Sequence, residues 1–315
     1  MRTTVFDLAK QKAEGRRFAM LTAYDFPSAR IAEAAGVPVV LVGDSMGNVV
    51  HGAANTLGVT VDDICRACQS VVRATESAMV VADMPFLSFV DEATAIRNAG
   101  RFMTEGGVQA VKIEGGGSVV PVVRRLVELG IPVMGHLGFT PQSAGVIGLK
   151  VQAKDAEGAR RLIEDAVALQ EAGCFSLVLE LVPAALAAEV TRRLTIPTIG
   201  IGAGPDCDAQ VQVWHDLLGL FDGRSPRHAR RYAEIGALMK EAVAAYVADV
   251  ESGVFPTEAQ SSKMDSATLD EALGAIYGAG ERGRFSPPGP RFARRARPSP
   301  ASASSQPWVT CTRAT

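Results

Sequence analysis

The chain has 315 residues, of which 47% are hydrophobic and 6% aromatic, and its formal net charge is −2. That is ample apolar material for a full core, and one large barrel fits the length as well as two ordinary domains. Near-neutral charge and scarce rings argue against a nucleic-acid groove or an anionic membrane surface, and no apolar run reaches the roughly 18–20 residues of a membrane helix.

Apolar strand-like runs alternate with amphipathic helical runs along the chain. Residues 18–24 read as a strand and 27–35 as a helix. Strand 38–43 is followed by helix 61–75, strand 78–82 by helix 92–105, and strand 110–113 by helix 119–129. Strand 132–136 precedes helix 156–172, strand 177–181 precedes helix 184–194, and strand 197–201 precedes a weak eighth strand at 211–214 and a long last helix at 228–250. Three Gly/Thr-x-Pro junctions, at Gly36–Pro38, Gly130–Pro132 and Thr195–Pro197, each end a helix and open a strand. The strands are continuously apolar rather than alternating, as expected when both faces of a parallel sheet are covered. Eight such units over about 250 residues form the pattern of a (β/α)8 TIM barrel, expected over residues 1–256. A doubly wound open sheet has the same alternation, but the Gly-x-Gly-x-x-Gly turn of a dinucleotide fold is missing after the first strand. Residues 257–285 read as a C-terminal extension with one helix at 266–277. From Ser286 the chain is Pro, Ser, Ala and Arg, with Arg291, Arg294, Arg295 and Arg297 clustered. That composition cannot bury enough apolar surface to fold, so residues 286–315 are expected to be a disordered, passive tail.

Four of the strand-like runs finish on a carboxylate: Asp44, Asp83, Glu114 and Glu180. A buried carboxylate without a partner is costly. In a parallel barrel all C-terminal strand ends meet at one face, where active sites lie. Asp44, Asp83 and Glu114 follow consecutive strands, so they should form one acidic edge suited to a hard divalent cation, Mg²⁺ by default. Lys112 is two residues before Glu114 and therefore on the same strand face. It is expected to bind substrate electrostatically rather than as a Schiff base. His136, at the end of the fifth strand among glycines, is expected to hydrogen-bond substrate. Glu180 ends the sixth strand, apart from the acidic edge, and suits a general base. The Gly-Ile-Gly-Ala-Gly at 200–204 could cradle phosphate, admit a planar ligand or allow tight packing. Cys65 and Cys68 fall within a helix, where inward packing explains them better than redox chemistry. The five cysteines, odd in number and scattered, fit a reducing cytoplasm, and the N-terminus does not read as a signal peptide.

Several of these segments, in order, resemble the ketopantoate hydroxymethyltransferase family: Met20–Asp25, Leu41–Gly47, Ala82–Phe86, Val111–Gly116, Gly135–Gln142, Gly200–Gly204, Val213–Gly219 and Val250–Pro256. The resemblance covers about residues 1–256. It implies a Mg²⁺-dependent barrel of the phosphoenolpyruvate/pyruvate-like kind. It also implies transfer of a hydroxymethyl group from 5,10-methylenetetrahydrofolate to 3-methyl-2-oxobutanoate, forming 2-dehydropantoate for pantothenate and coenzyme A synthesis. Carried over by position, Asp44, Asp83 and Glu114 match metal ligands. Asp44, Ser45, Asp83, Lys112 and His136 match ketoacid-binding positions, and Glu180 matches the proton acceptor. The family pattern further implies a homodecamer of two stacked pentamers. Two departures stand out: Ala153 where the family has glycine, and Glu258–Ser261 where it usually has Glu-His-Ser-Phe. The alternatives are another Mg²⁺-dependent barrel lyase or mutase acting on a 2-oxo acid, or a non-catalytic metabolite-binding barrel. The lyases and mutases typically carry a loop cysteine at the acidic face, and no cysteine here lies at a strand end on that face.

Overall fold

A computed structural model describes residues 1–221 and 226–277. The expected basic tail lies outside them. The elements in chain order are α1 (Val5–Ala13), β1 (Phe18–Thr22), α2 (Phe26–Ala34), β2 (Val39–Val42), α3 (Met46–Val49), α4 (Val61–Ala74), β3 (Met79–Asp83), α5 (Glu92–Thr104), β4 (Ala110–Glu114), α6 (Val120–Glu128) and β5 (Val133–Gly138). They continue with α7 (Ala144–Ile147), α8 (Ala156–Glu171), β6 (Ser176–Glu180), α9 (Ala184–Arg193), β7 (Thr198–Ile201), β8 (Ala209–Gln212), α10 (Trp214–Leu218), α11 (Ile235–Ser252) and α12 (Ser266–Tyr277). By compactness the chain divides into two units, residues 1–245 and a second beginning at Tyr246 within α11.

The eight strands form a closed, all-parallel barrel in sequence order, with β8 returning to β1. Side chains that alternate along each strand build two separate cores. One fills the barrel interior with Phe18, Met20, Val39, Leu41, Met79, Val81, Ala110, Met134, Val178 and Ile199. Leu8 belongs to this cluster, so α1 closes the N-terminal end of the barrel. The other lies between strands and helices, where Val40, Val42, Val80 and Ala82 meet Ile64, Cys68 and Phe102. Cys65 and Cys68 are buried there, and the thiol of Cys68 is pushed up by burial, which suits packing and not reactivity.

Helix starts follow from short polar caps. Thr4 with Asp7 and Thr60 with Asp63 form reciprocal capping boxes on α1 and α4, while Asp25, Asp91 and Asp155 cap α2, α5 and α8. The eighth strand lies two residues earlier than its apolar pattern indicates. Trp214 does not extend it; its backbone N–H donates to Thr22 Oγ1 at 2.9 Å and opens α10.

The register places the charged residues. Asp83 pairs with Lys112, Glu114 with His136, and Gly138 with Glu180 across successive strands. Asp83, Lys112, Glu114, His136 and Glu180 share the inward parity of Val81, Ala110, Met134 and Val178. They therefore continue the interior stack at its C-terminal end.

Candidate active site

At that end Asp44 lies two residues beyond β2, in the turn into α3, rather than on the strand itself. Its backbone N–H donates to Asp83 Oδ2 at 3.1 Å. Gly43 permits the approach: a Cβ there would sit 2.9 Å from Ser45 Oγ and 3.5 Å from Asp83 Oδ2. Lys112 Nζ lies 2.6 Å from Asp83 Oδ1 and 3.6 Å from Glu114 Oε1. His136 stands between two acids, with Nδ1 3.3 Å from Glu114 Oε1 and Nε2 3.3 Å from Glu180 Oε2. Six of the expected residues thus form one connected set, and His136 is the link that joins Glu180 to the acidic edge. Ser45 stands beside this set, its Oγ 2.9 Å from the Tyr24 hydroxyl.

A cavity of about 530 Å³ opens over the cluster. Asp44, Ser45, Asp83, Lys112 and Glu180 line it, whereas Glu114 and His136 are not on its wall. His136 is therefore placed to hold Glu180 from the strand beside it. The Glu180 side chain is 15% exposed against 3% for His136. The backbone fixes it from the neighbouring strand: Phe139 N–H donates to the Glu180 carbonyl at 2.7 Å, and Gly138, at φ +94°, leaves no room for a Cβ against that carbonyl.

Two residues left unassigned by the sequence complete the site. Gln142, 7% exposed in the loop after β5, donates from Nε2 to Asp44 Oδ2 and to the Met84 carbonyl, both at 2.9 Å. Its backbone N–H donates to Glu114 Oε2 at 3.1 Å. One residue thus ties both ends of the acidic edge. Tyr24 is buried and orients Ser45. Both lie in segments that carry the family resemblance, and an amide just past the strand end that bears His136 is the one local signal that could have marked Gln142.

Charge is unevenly met across the edge. Burial, then Asp83 and Glu114, push Asp44 well above the usual carboxylate range, and burial also raises Asp83 against the opposing pull of Lys112. Burial also opposes ionisation of Glu114, but Lys112 and His136 outweigh it and bring it down to about 2. Burial and Lys112 oppose a charge on His136, yet Glu114 and Glu180 raise it to about 9. Lys112 is held protonated by Asp83, Glu114 and Asp44 despite its burial. With all four acids ionised, two cations face four carboxylates.

That imbalance bears on metal binding. Asp83 Oδ1 and Glu114 Oε1 are buried and met only by the ion-pair contacts of Lys112 and His136, and the groups offered to a cation are all hard oxygens. The number and chemistry of the ligands fit a divalent cation such as Mg²⁺. Among the described residues no three His, Cys, Asp or Glu side chains already surround a common point, because the positive charge between Asp83 and Glu114 is that of Lys112.

The family model described as ketopantoate hydroxymethyltransferase matches residues 2–258. The chain belongs to the ketopantoate hydroxymethyltransferase family. It is 62% identical over 275 residues to the 3-methyl-2-oxobutanoate hydroxymethyltransferase of Gluconacetobacter diazotrophicus, covering 87% of this chain and 100% of that one. A protein of the same name from a Roseiflexus species is 57% identical over 274 residues, 87% of this chain and 99% of its own. Among solved structures, 2,3-dimethylmalate lyase, a member of the PEP mutase/isocitrate lyase superfamily, aligns with a TM-score of 0.51 at 18% identity, covering 88% of this chain and 96% of its own. That likeness concerns the fold alone.

Against the ketopantoate hydroxymethyltransferase pattern, the departure at Ala153 has a structural counterpart. Its φ is +54°, the left-handed region that glycine occupies without a Cβ penalty. The Gly-rich loop after β7 packs rather than gapes: a Cβ on Gly202, at φ +64°, would sit 2.8 Å from Leu181 Cδ2, and one on Gly204 would collide with Ala184.

Proposed function

We propose that this chain transfers a hydroxymethyl group from 5,10-methylenetetrahydrofolate to 3-methyl-2-oxobutanoate, giving 2-dehydropantoate in pantothenate biosynthesis. The observation that carries the chemistry is Glu180: a carboxylate on the cavity wall, held from behind by His136, beside but not within the acidic edge. Asp44, Asp83 and Glu114 would hold Mg²⁺, which when bound supplies Lewis-acid polarisation of the substrate's keto group. Lys112 faces the cavity with its charge secured by Asp83, so it can attract the ketoacid carboxylate. Ser45, oriented by Tyr24, offers a hydroxyl on the same wall. Glu180 takes the C3 proton, with His136 steadying its orientation. Water adds to the folate-borne methylene carbon and breaks its bonds to N5 and N10, which frees tetrahydrofolate and leaves formaldehyde; the C3 electron pair attacks that carbonyl carbon, and its oxygen takes up the proton held by Glu180 to give the hydroxyl of 2-dehydropantoate.

The test is deuterium exchange at C3 of 3-methyl-2-oxobutanoate in D₂O, without folate, with and without Mg²⁺. Metal-dependent exchange is expected. Intact protein that binds the ketoacid and shows no exchange would reject the reading.

A homodecamer fits α11, whose Leu238, Met239, Val243, Tyr246, Val247 and Val250 are exposed, and sedimentation velocity would test it. No helix among the described residues is long and apolar enough to cross a membrane. The free thiols of Cys65, Cys68, Cys174 and Cys207 suit a cytoplasmic setting.

A further inference from the structure

The cavity has two unlike sides. The metal-edge acids, Glu180 and both cations come from the ends of β2 to β6. The remaining wall, from β7, β8 and the segment after β8, is mostly apolar, with Ile201, Val211, Val213 and Pro226 beside the imidazole of His228, and it carries a single carboxylate, Asp216 of α10. Asp216 differs from every other acid on the cavity wall. Asp44 accepts from Gln142, Asp83 from the Asp44 backbone, and Glu180 faces His136. Asp216 has no hydrogen-bond or ion-pair partner among the described residues. It is half-buried, and burial raises it above its ordinary value, with the charges of His228 and Arg231 pulling the other way.

An ionisable acceptor set in an apolar wall with its donors missing is the arrangement that orients a ligand in a largely apolar pocket. The pterin head of a folate has the matching chemistry. It is flat, so it can lie against Ile201, Val211 and Val213. One edge of its pyrimidine ring presents the 2-amino group and N3–H side by side, two parallel donors that a carboxylate can accept together. The one-carbon unit is carried at N5, on the opposite side of the bicycle. A pterin held by that edge at α10 would turn its methylene carbon away from Asp216 and toward the acidic half of the cavity.

We propose that Asp216 is the pterin anchor of the one-carbon donor, binding its 2-amino and N3–H edge against the apolar wall of β7 and β8. This rests on the folate reading given above. Tyr24 and His215 support the placement: their rings are 5.7 Å apart, and His215 stacks on Phe221 at 5.5 Å, so the short helix bearing Asp216 is braced to the strand-one loop.

The test uses the Mg²⁺-loaded full chain and the variants Asp216→Asn and Asp216→Ala. Three quantities are measured: KM for 5,10-methylenetetrahydrofolate, binding of tetrahydrofolate by equilibrium dialysis, and folate-free deuterium exchange into 3-methyl-2-oxobutanoate. Loss of a charge-assisted pair should raise the folate KM and weaken tetrahydrofolate binding by roughly 10- to 100-fold, in Asn as well as Ala, because the amide turns a donor toward the pterin. Exchange and the ketoacid KM should stay within about twofold, which also reports that the variants are folded. Unchanged folate binding with exchange retained overturns the proposal. So does parallel loss of exchange and folate binding, since that marks Asp216 as a support of the whole site. If the wild-type chain exchanges the ketoacid proton but neither turns over nor binds folate, the folate reading itself fails.

Discussion

Replacing Gln142 by alanine isolates the tie across the acidic edge. The substitution deletes two side-chain hydrogen bonds, a charge-assisted one to Asp44 Oδ2 and a neutral one to the Met84 carbonyl, and leaves the backbone bond to Glu114. Charged and neutral bonds of this kind contribute about 1.5–3 and 0.5–1.5 kcal/mol. Asp44 borders the cavity, so solvent can replace the lost donor there, and the stability loss should fall near the low end of the sum, about 2 kcal/mol. The larger effect is on the carboxylate. The Gln142 amide lowers Asp44 against burial and two neighbouring acids, so without it Asp44 is harder to ionise and free to rotate. Loss of a group that orients a metal ligand typically weakens metal binding by about 10- to 100-fold. Calorimetric titration of Mg²⁺ in the presence of ketoacid measures this directly, and denaturant unfolding measures stability separately. A variant that loses the expected stability but binds Mg²⁺ as tightly as wild type would refute the positioning role.

Three further outcomes are expected. Glu180→Gln should slow ketoacid proton exchange by about 10²- to 10⁴-fold with ketoacid affinity little changed, as exchange and binding assays would reveal. Glu33 accepts the backbone N–H groups of Glu76, Ser77 and Ala78, and these outweigh its burial and bring it from 4.5 to about 2. Its contribution, on the order of 1–3 kcal/mol, is therefore complete above about 4.5 and is lost as pH falls toward 2, so the stability gap between wild type and Glu33→Gln should narrow in acid denaturation series below pH 4.5. Ala153→Gly should raise the melting temperature, gaining about 0.5–1 kcal/mol after the added freedom of the unfolded chain is subtracted, and a lower melting temperature would contradict the strain assigned to φ +54°.

The barrel was legible because its strands are short, apolar on both faces and punctuated by Gly and Pro at regular intervals. Where the pattern failed, local chemistry was overruled by distant partners. Ala209–Gln212 reads as a poor strand, with Gln210 and Gln212 polar, and only closure against β1 makes it one. Trp214 looks like strand because it is apolar, but Thr22, nearly two hundred residues earlier, starts a helix there. The charged residues of the site were legible for the opposite reason. Charge at the end of a buried strand is costly, and strand parity states which way it points. Gln142 is a neutral residue in a loop and Asp216 an ordinary acid on a short helix, and their importance arises only from what the fold sets opposite them. The linking role of His136 was hidden likewise: the sequence places it near Glu114 and Glu180 but cannot say that it stands behind the cavity wall.

The acidic edge is not a uniform trio. Glu114 has two positive neighbours, Lys112 and His136, and is driven far below its ordinary range. Asp83 has Lys112 alone and remains raised. Asp44 is compensated least: an amide dipole and a more distant ammonium oppose burial and two like charges. Unmet negative charge therefore grows from β4 toward β2, along the direction in which the barrel supplies fewer internal cations. A divalent ion entering through the cavity would gain most at Asp44, which has the least counter-charge of the three and faces the opening. Glu114, already neutralised and off the wall, is suited to hold Lys112 and His136 in place and to contribute to the cation at longer range. The division follows from where the two positive side chains fall in the strand order. Exchanging the positions of Lys112 and Asp83 across the β3–β4 pair would keep the same charges in nearly the same space, yet it would remove the gradient that directs a cation to one end.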